Sequence, residues 1–104
     1  MQKVYSTVEL QQMLYPVFSK TDVVRAVLFG SYAKGNANAN SDVDIVIDSN
    51  GKLLDINFFT VMADVEDALG KRVDMYEVKE LKKDSSILNA LKHDGIVIYD
   101  RGAV

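Results

Sequence analysis

Three aspartates and one Gly-Ser pair have the types and spacing that could do chemistry. Asp42 and Asp44 stand two apart in Ser41-Asp42-Val43-Asp44-Ile45-Val46-Ile47, a stretch rich in β-branched residues. Side chains of a strand alternate between faces, so both carboxylates project from one side while Val43 and Ile45 point into a core. Two like charges held this close favour a divalent cation. Magnesium takes oxygen ligands, keeps waters, and is commonly shared between one or two carboxylates and the phosphates of a substrate. Upstream, the apolar run Val23 to Phe29 leads directly into Gly30-Ser31. A strand that turns into a helix there exposes backbone N–H groups and a hydroxyl, and glycine lets a phosphate approach the backbone closely. Phosphate cradle and metal site therefore imply each other. A third carboxylate, Asp74, lies where Val73 and Met75 face one way and Asp74 and Tyr76 the other. If its strand lies beside that of Asp42, three carboxylates converge. One metal could then activate an acceptor hydroxyl and another hold a triphosphate, with Asp74 ligating the first and serving as base.

The elements that must position these residues follow from periodicity. Ser6 and Glu9 have capping-box spacing, and Val8, Leu10, Met13, Leu14 and Val17 recur at helical intervals, so a helix starts near Thr7. Pro16 predicts a kink or a restart. Val23 to Phe29 reads as a strand buried on both faces, followed by a short helix and a loop over Gly35 to Asn40. Val43 to Ile47 is a second strand, ended by Ser49-Asn50-Gly51. Leu54, Phe58, Val61, Met62, Val65 and Leu69 then line one helix face, with Gly70 as the stop and Asp64, Glu66 and Asp67 on the wet side. Arg72 to Val78 is a third strand. Ile87, Leu88 and Leu91 mark a last helix ended by Gly95, and Ile96 to Tyr99 is a fourth strand. Helices alternating with strands imply an α/β fold, α+β in some schemes: a small mixed sheet of about four strands with flanking helices, whose strand order this pattern leaves open.

Other polar residues have plainer roles. Asp48, Asp55 and Asp100 read as surface acids, Ser41 as a turn former, and His93 as a structural residue in the last turn of a helix. Tyr32 reads as half-buried packing beside the loop, and Lys79 to Asp84 as a solvated connection.

The bulk properties narrow the function classes. The 104 residues make a single domain, 1–104, and 48% hydrophobic with 26% charged residues is an ordinary globular composition. The chain has no cysteine, which removes disulfides, thiolate metal sites and cysteine nucleophiles and suits the cytoplasm. No signal-peptide core or membrane span is expected, because no apolar run approaches the ~18 residues a span needs. A formal net charge of -3 has the wrong sign for neutralising many phosphates, so a nucleic-acid acceptor is disfavoured.

At these motifs the chain resembles the minimal nucleotidyltransferases of the DNA polymerase beta superfamily, whose pattern is Gly-Ser, a ten-residue gap, then Asp-x-Asp. The gap here runs from Tyr32 to Ser41, and the resemblance extends over nearly the whole chain, with Asp74 in the place of the family's third acid. It implies the polymerase beta-like fold, with Gly30 and Ser31 binding the triphosphate of ATP. Asp42, Asp44 and Asp74 would be the catalytic metal ligands for two magnesium ions. Lys34 stands where the family usually has an arginine near the phosphates, keeping the charge but losing the planar fork. The resemblance further implies transfer of AMP from ATP to a hydroxyl. The leading expectation is a tyrosine of a HEPN-type toxin partner, as the antitoxin members of this family do. Small-molecule-modifying relatives generally add a helical domain that closes the acceptor pocket, and no such domain is expected within these 104 residues. A partner protein, or a second copy of this chain as a homo-oligomer, would supply that wall. Two alternatives stand beside this: a binding module that neutralises its partner by covering it, and transfer to a small molecule such as an antibiotic.

Overall fold

The computed structural model describes residues 4–83 and 85–102. Helix α1 spans Thr7–Phe18 and opens on the expected capping box: the Ser6 hydroxyl accepts from the Glu9 amide and the Glu9 carboxylate accepts from the Ser6 amide. The helix continues through Pro16 rather than restarting there. Leu10, Leu14 and Phe18 form its buried stripe, and three residues of this size are enough to hold a last turn that lacks one backbone donor.

Strand β1 (Arg25–Phe29) runs into the five-residue helix α2 (Gly30–Lys34), and β2 (Val43–Asp48) returns antiparallel to β1. Helix α3 (Ile56–Leu69) crosses over to β3 (Val73–Glu77), which pairs parallel with β2. A short 3-10 turn (Val78–Glu80) and α4 (Ser86–Asp94) lead to β4 (Ile96–Asp100), antiparallel to β1 on its other side. The sheet order is β3-β2-β1-β4. The polar connection expected over Lys79 to Asp84 thus begins as a helical turn, and Asp84 itself lies outside the described residues.

Helices α1 and α3 cover one face of the sheet, where Val43, Ile45 and Ile47 of β2 meet Leu10, Leu14, Val61 and Val65. The other face carries Asp44 and Asp74. It is covered less completely, so β1 is not the strand buried on both sides that its apolar run predicts: Arg25 is exposed and Val27 only half-buried. Just before α3, Leu54 also departs from the stripe expected of it. Leu53 is buried and Leu54 exposed, because the helix begins at Ile56 and neither residue belongs to its periodic stripe. Glu66 is not on the wet side, since its carboxylate accepts the Val73 amide at 3.0 Å where α3 hands over to β3. Beyond β4, the Arg101 guanidinium donates to the carbonyls of Thr21 (2.6 Å) and Ser19 (3.2 Å), tying the last strand to the end of α1.

Candidate active site

The sheet brings the chemical residues to one level of three neighbouring strands. Asp44 is paired with Phe29 on one side and with Asp74 on the other. Gly30 follows Phe29, so the end of β1, the start of β2 and the start of β3 meet at Asp44. Asp74 lies on the same sheet face, as its alternation with the buried Val73 and Met75 requires. The strand order supplies what the sequence pattern left open, and it places the third acid beside the second.

Gly30 has a φ of +73°, a left-handed conformation that favours glycine. A Cβ there would stand 3.2 Å from the Asp44 Cγ and collide with its Oδ2. The glycine is therefore needed twice, by its backbone and by the carboxylate beside it. Ser31 is half-buried in the first turn of α2, and its hydroxyl makes no hydrogen bond among the described residues. The Phe29 position gives α2 no side-chain cap, which leaves first-turn N–H groups to a ligand or to water. Five residues supply orphan donors rather than a large helix dipole. Lys34 is exposed in the last turn, and no ion pair among the described residues ties it to the acids.

The electrostatics single out Asp44, whose carboxyl is pushed up from 3.8 to about 6. Burial is the main cause, followed by the charges of Asp74 and Asp42 and a hydrogen bond with Asp74. The expected repulsion is present, centred on the middle acid. Asp42 sits just before β2, and its charge is felt at Asp44. Its Oδ2 lies 3.8 Å from the Arg72 Nε, across two exposed side chains. No three acidic or histidine side chains among the described residues are grouped to hold a metal ion by themselves. The donor set nevertheless fits magnesium: a hard oxygen pair at Asp44 and Asp74, mutually repelling, with Asp42 near enough to be felt, is a partial shell that phosphate oxygens and water would complete.

Two residues outside the predicted set shape the same region. Lys71 is buried and donates to the Ala39 carbonyl at 3.0 Å, with its ammonium 6.0 Å from the centre of the Tyr32 ring. It thereby fastens the loop between the Gly-Ser pair and the aspartates to the entrance of β3. Tyr32 is buried, not half-buried, and packs in the main core. Ser41 is the turn former expected, its hydroxyl accepting the Asn38 amide at 2.9 Å. A lysine and an arginine directly after a helix-ending glycine carry no sequence signal of such contacts.

Similarity to known proteins agrees with this geometry. A family profile described as polymerase beta, nucleotidyltransferase matches residues 12–103. A Methanocaldococcus jannaschii protein described as a candidate protein adenylyltransferase is 35% identical over 68 residues, covering 64% of this chain and 72% of that one. Among solved structures, a toxin-antitoxin crystal structure with AMP-PNP matches with a TM-score of 0.73 at 22% identity, covering 86% of this chain and 73% of the other. A structure described as a candidate minimal nucleotidyltransferase matches with a TM-score of 0.71 at 23% identity, covering 88% and 95%. A Shewanella oneidensis complex of a tri-AMPylated HEPN toxin with an MNT antitoxin matches with a TM-score of 0.65 at 18% identity, covering 88% and 70%. These three share the fold. With its family profile spanning nearly the whole chain and Gly30 brought beside the paired Asp44 and Asp74, this chain belongs to the polymerase beta nucleotidyltransferase family and is a nucleotidyltransferase.

Proposed function

We propose that this nucleotidyltransferase moves AMP from ATP to a tyrosine hydroxyl of a HEPN-type toxin partner, acting as the antitoxin of the pair. The observation that carries the reading is the register Phe29, Asp44, Asp74 beside Gly30, a pair of repelling carboxylates at the mouth of a backbone cradle. The similarity to a candidate protein adenylyltransferase and the fold shared with toxin-antitoxin complexes support the choice of donor and acceptor.

In this reading the α2 first-turn amides and the Ser31 hydroxyl donate to the triphosphate, with Gly30 leaving room for it. Asp42, Asp44 and Asp74 would hold magnesium, which supplies charge neutralisation along the triphosphate and lowers the pKa of the acceptor hydroxyl. The tyrosine oxygen attacks the α phosphorus, forming the new O–P bond as the bond to the bridging oxygen of the β phosphate breaks. Pyrophosphate leaves with that electron pair. The phenolic proton passes to the Asp74 carboxylate, half-buried on the edge strand of the sheet. Lys34, at the end of α2, would contact phosphate only as a point charge. The partner supplies the acceptor wall, and the protein works in the cytoplasm.

The test combines the purified chain and a co-expressed HEPN partner with magnesium ATP. ATP labelled at the α phosphate should label the partner and ATP labelled at the γ phosphate should not, and tandem mass spectra should place AMP on a tyrosine. Asp44→Asn should abolish labelling. If the wild type and Asp44→Asn silence the partner equally with no mass added, neutralisation by binding replaces catalysis.

A further inference from the structure

Away from the aspartates, at the other end of β3, a cavity of about 470 Å³ opens between the start of α3, the end of β3 and the 3-10 turn. Its walls are apolar: Leu53, Phe58, Met75 and Leu81. Glu77 also lines it, and this glutamate is only 5% exposed. One carboxylate oxygen is fully engaged. Glu77 Oε1 accepts from the Ser49 amide at 3.1 Å and from the Ser49 hydroxyl, which in turn accepts the Leu53 amide at 3.1 Å. The other oxygen, Oε2, is buried and has no hydrogen-bond partner among the described residues. A buried acceptor without a donor is costly, so a structure that keeps one has an unmet demand for a donor.

The surface around the cavity says what would bring that donor. Leu54 and Phe59, which line the cavity, are 56% and 60% exposed, and Ile56 between them in sequence is 76% exposed, so the apolar walls continue into an apolar rim. A small amine could satisfy Glu77 but would leave this rim in water. Asp55, between two of these residues, makes no side-chain bond to cap α3, and Glu80 lines the opposite side. The exposed Lys79, Lys82 and Lys83 lie on the same connection, so the buried carboxylate, rather than the net local charge, sets the preference. A long side chain with an apolar stem and a cationic head, flanked by apolar residues, matches both parts. We propose that this cavity is a docking site for a protein segment that inserts a lysine or arginine onto Glu77 Oε2 and lays neighbouring apolar side chains over Leu54 and Phe59. Glu77 lies three steps along the strand from Asp74, roughly 10 Å at the usual rise, so docking leaves the aspartates free. The inference stands whether or not AMP is transferred.

Acetylated, amidated peptides Leu-Lys-Leu-Phe and Leu-Gln-Leu-Phe would be titrated into the labelled full chain and followed by amide chemical shifts, with n-hexylammonium as the small-amine probe. The lysine peptide should shift Phe59, Tyr76, Glu77 and Leu81 saturably and bind at least tenfold tighter than the glutamine peptide and than n-hexylammonium. Glu77→Gln should remove the difference between the peptides, and Phe59→Ser should weaken both. Should Glu77→Gln fail to fold, the peptide comparison on the wild type still decides. Equal affinity of the two peptides, or shifts confined to another surface, would overturn the proposal. An affinity for n-hexylammonium equal to that of the lysine peptide would also overturn it, in favour of a small-amine site.

Discussion

Gly30→Ala and Gly35→Ala form a matched pair that isolates what the Asp44 carboxylate does at the cradle. Both glycines are left-handed, with φ of +73° and +78°, so either alanine costs about 1–2 kcal/mol in backbone strain. Their surroundings differ. A Cβ on Gly35 meets nothing within 4 Å, whereas one on Gly30 meets the Asp44 Cγ at 3.2 Å and its carboxylate oxygen closer still. Overpacking of this kind adds about 1–3 kcal/mol, and a carboxylate that can swing aside puts the expectation near the lower end. Gly30→Ala should therefore lose about 2–3 kcal/mol and Gly35→Ala about 1–2 kcal/mol in urea unfolding of the metal-free protein. The excess belongs to Asp44, so the double variant Gly30→Ala with Asp44→Ala should show a coupling of about 1 kcal/mol, recovering the excess but not the backbone strain. Equal losses for the two glycine variants, with no coupling to Asp44→Ala, would refute the close approach on which the cradle rests.

Three further outcomes are expected. Asp44 has a folded pKa raised from 3.8 to about 6, so it stabilises the fold below pH 4 and loses that contribution as pH rises through 6. Solvent contact screens the repulsion, so on going from pH 7 to pH 4 the metal-free wild type should gain about 1 kcal/mol relative to Asp44→Asn, and identical pH profiles would refute this. Magnesium ATP at a hundred times its dissociation constant should stabilise the chain by about 2.7 kcal/mol in thermal unfolding. ATP with chelator should do much less, and equal shifts would count against a shared metal and phosphate site. Ser6→Ala removes a hydrogen-bonded cap and should cost about 1 kcal/mol in urea unfolding with no change in nucleotide binding.

Elements governed by local rules were legible in the sequence. The Ser6 to Glu9 capping box, the α3 stripe from Phe58 to Leu69 ended by Gly70 at a φ of +63°, and the alternation around Asp74 all follow from contacts within a few residues, and the structure keeps each of them. What escaped depends on partners distant in sequence. Glu66 reads as a wet helix residue until β3 arrives to donate the Val73 amide, and nothing in the sequence marks Lys71, whose ammonium donates to the loop carbonyl of Ala39. Pro16 predicted a kink or a restart, and the helix does not restart: it runs on to Phe18, with Leu14 and Phe18 both fully buried on either side of the proline. The candidate site divides in the same way. Gly30, Ser31, Asp42 and Asp44 are readable as a short segment with a strand-turn-strand rhythm. The meeting of Asp74 with Asp44, and the turn of Asp42 toward Arg72, required the strand order.

The pairing of Asp44 with Asp74 across parallel strands also acts as a parity check on assembly. Side chains of a strand alternate with period two, so a slip of β3 by one residue would do more than misplace an acid. It would turn Val73 and Met75, both nearly fully buried, out of the apolar layer and force Asp74 into it. A two-residue slip restores the faces but sets Tyr76 or Arg72 opposite Asp44 and strands the Glu66 carboxylate without the Val73 amide. Errors of odd size are thus rejected by the core, and errors of even size by one hydrogen bond at the strand entrance. A chain that has packed correctly has already aligned its two acids, and selection for a stable interior carries the alignment along with it.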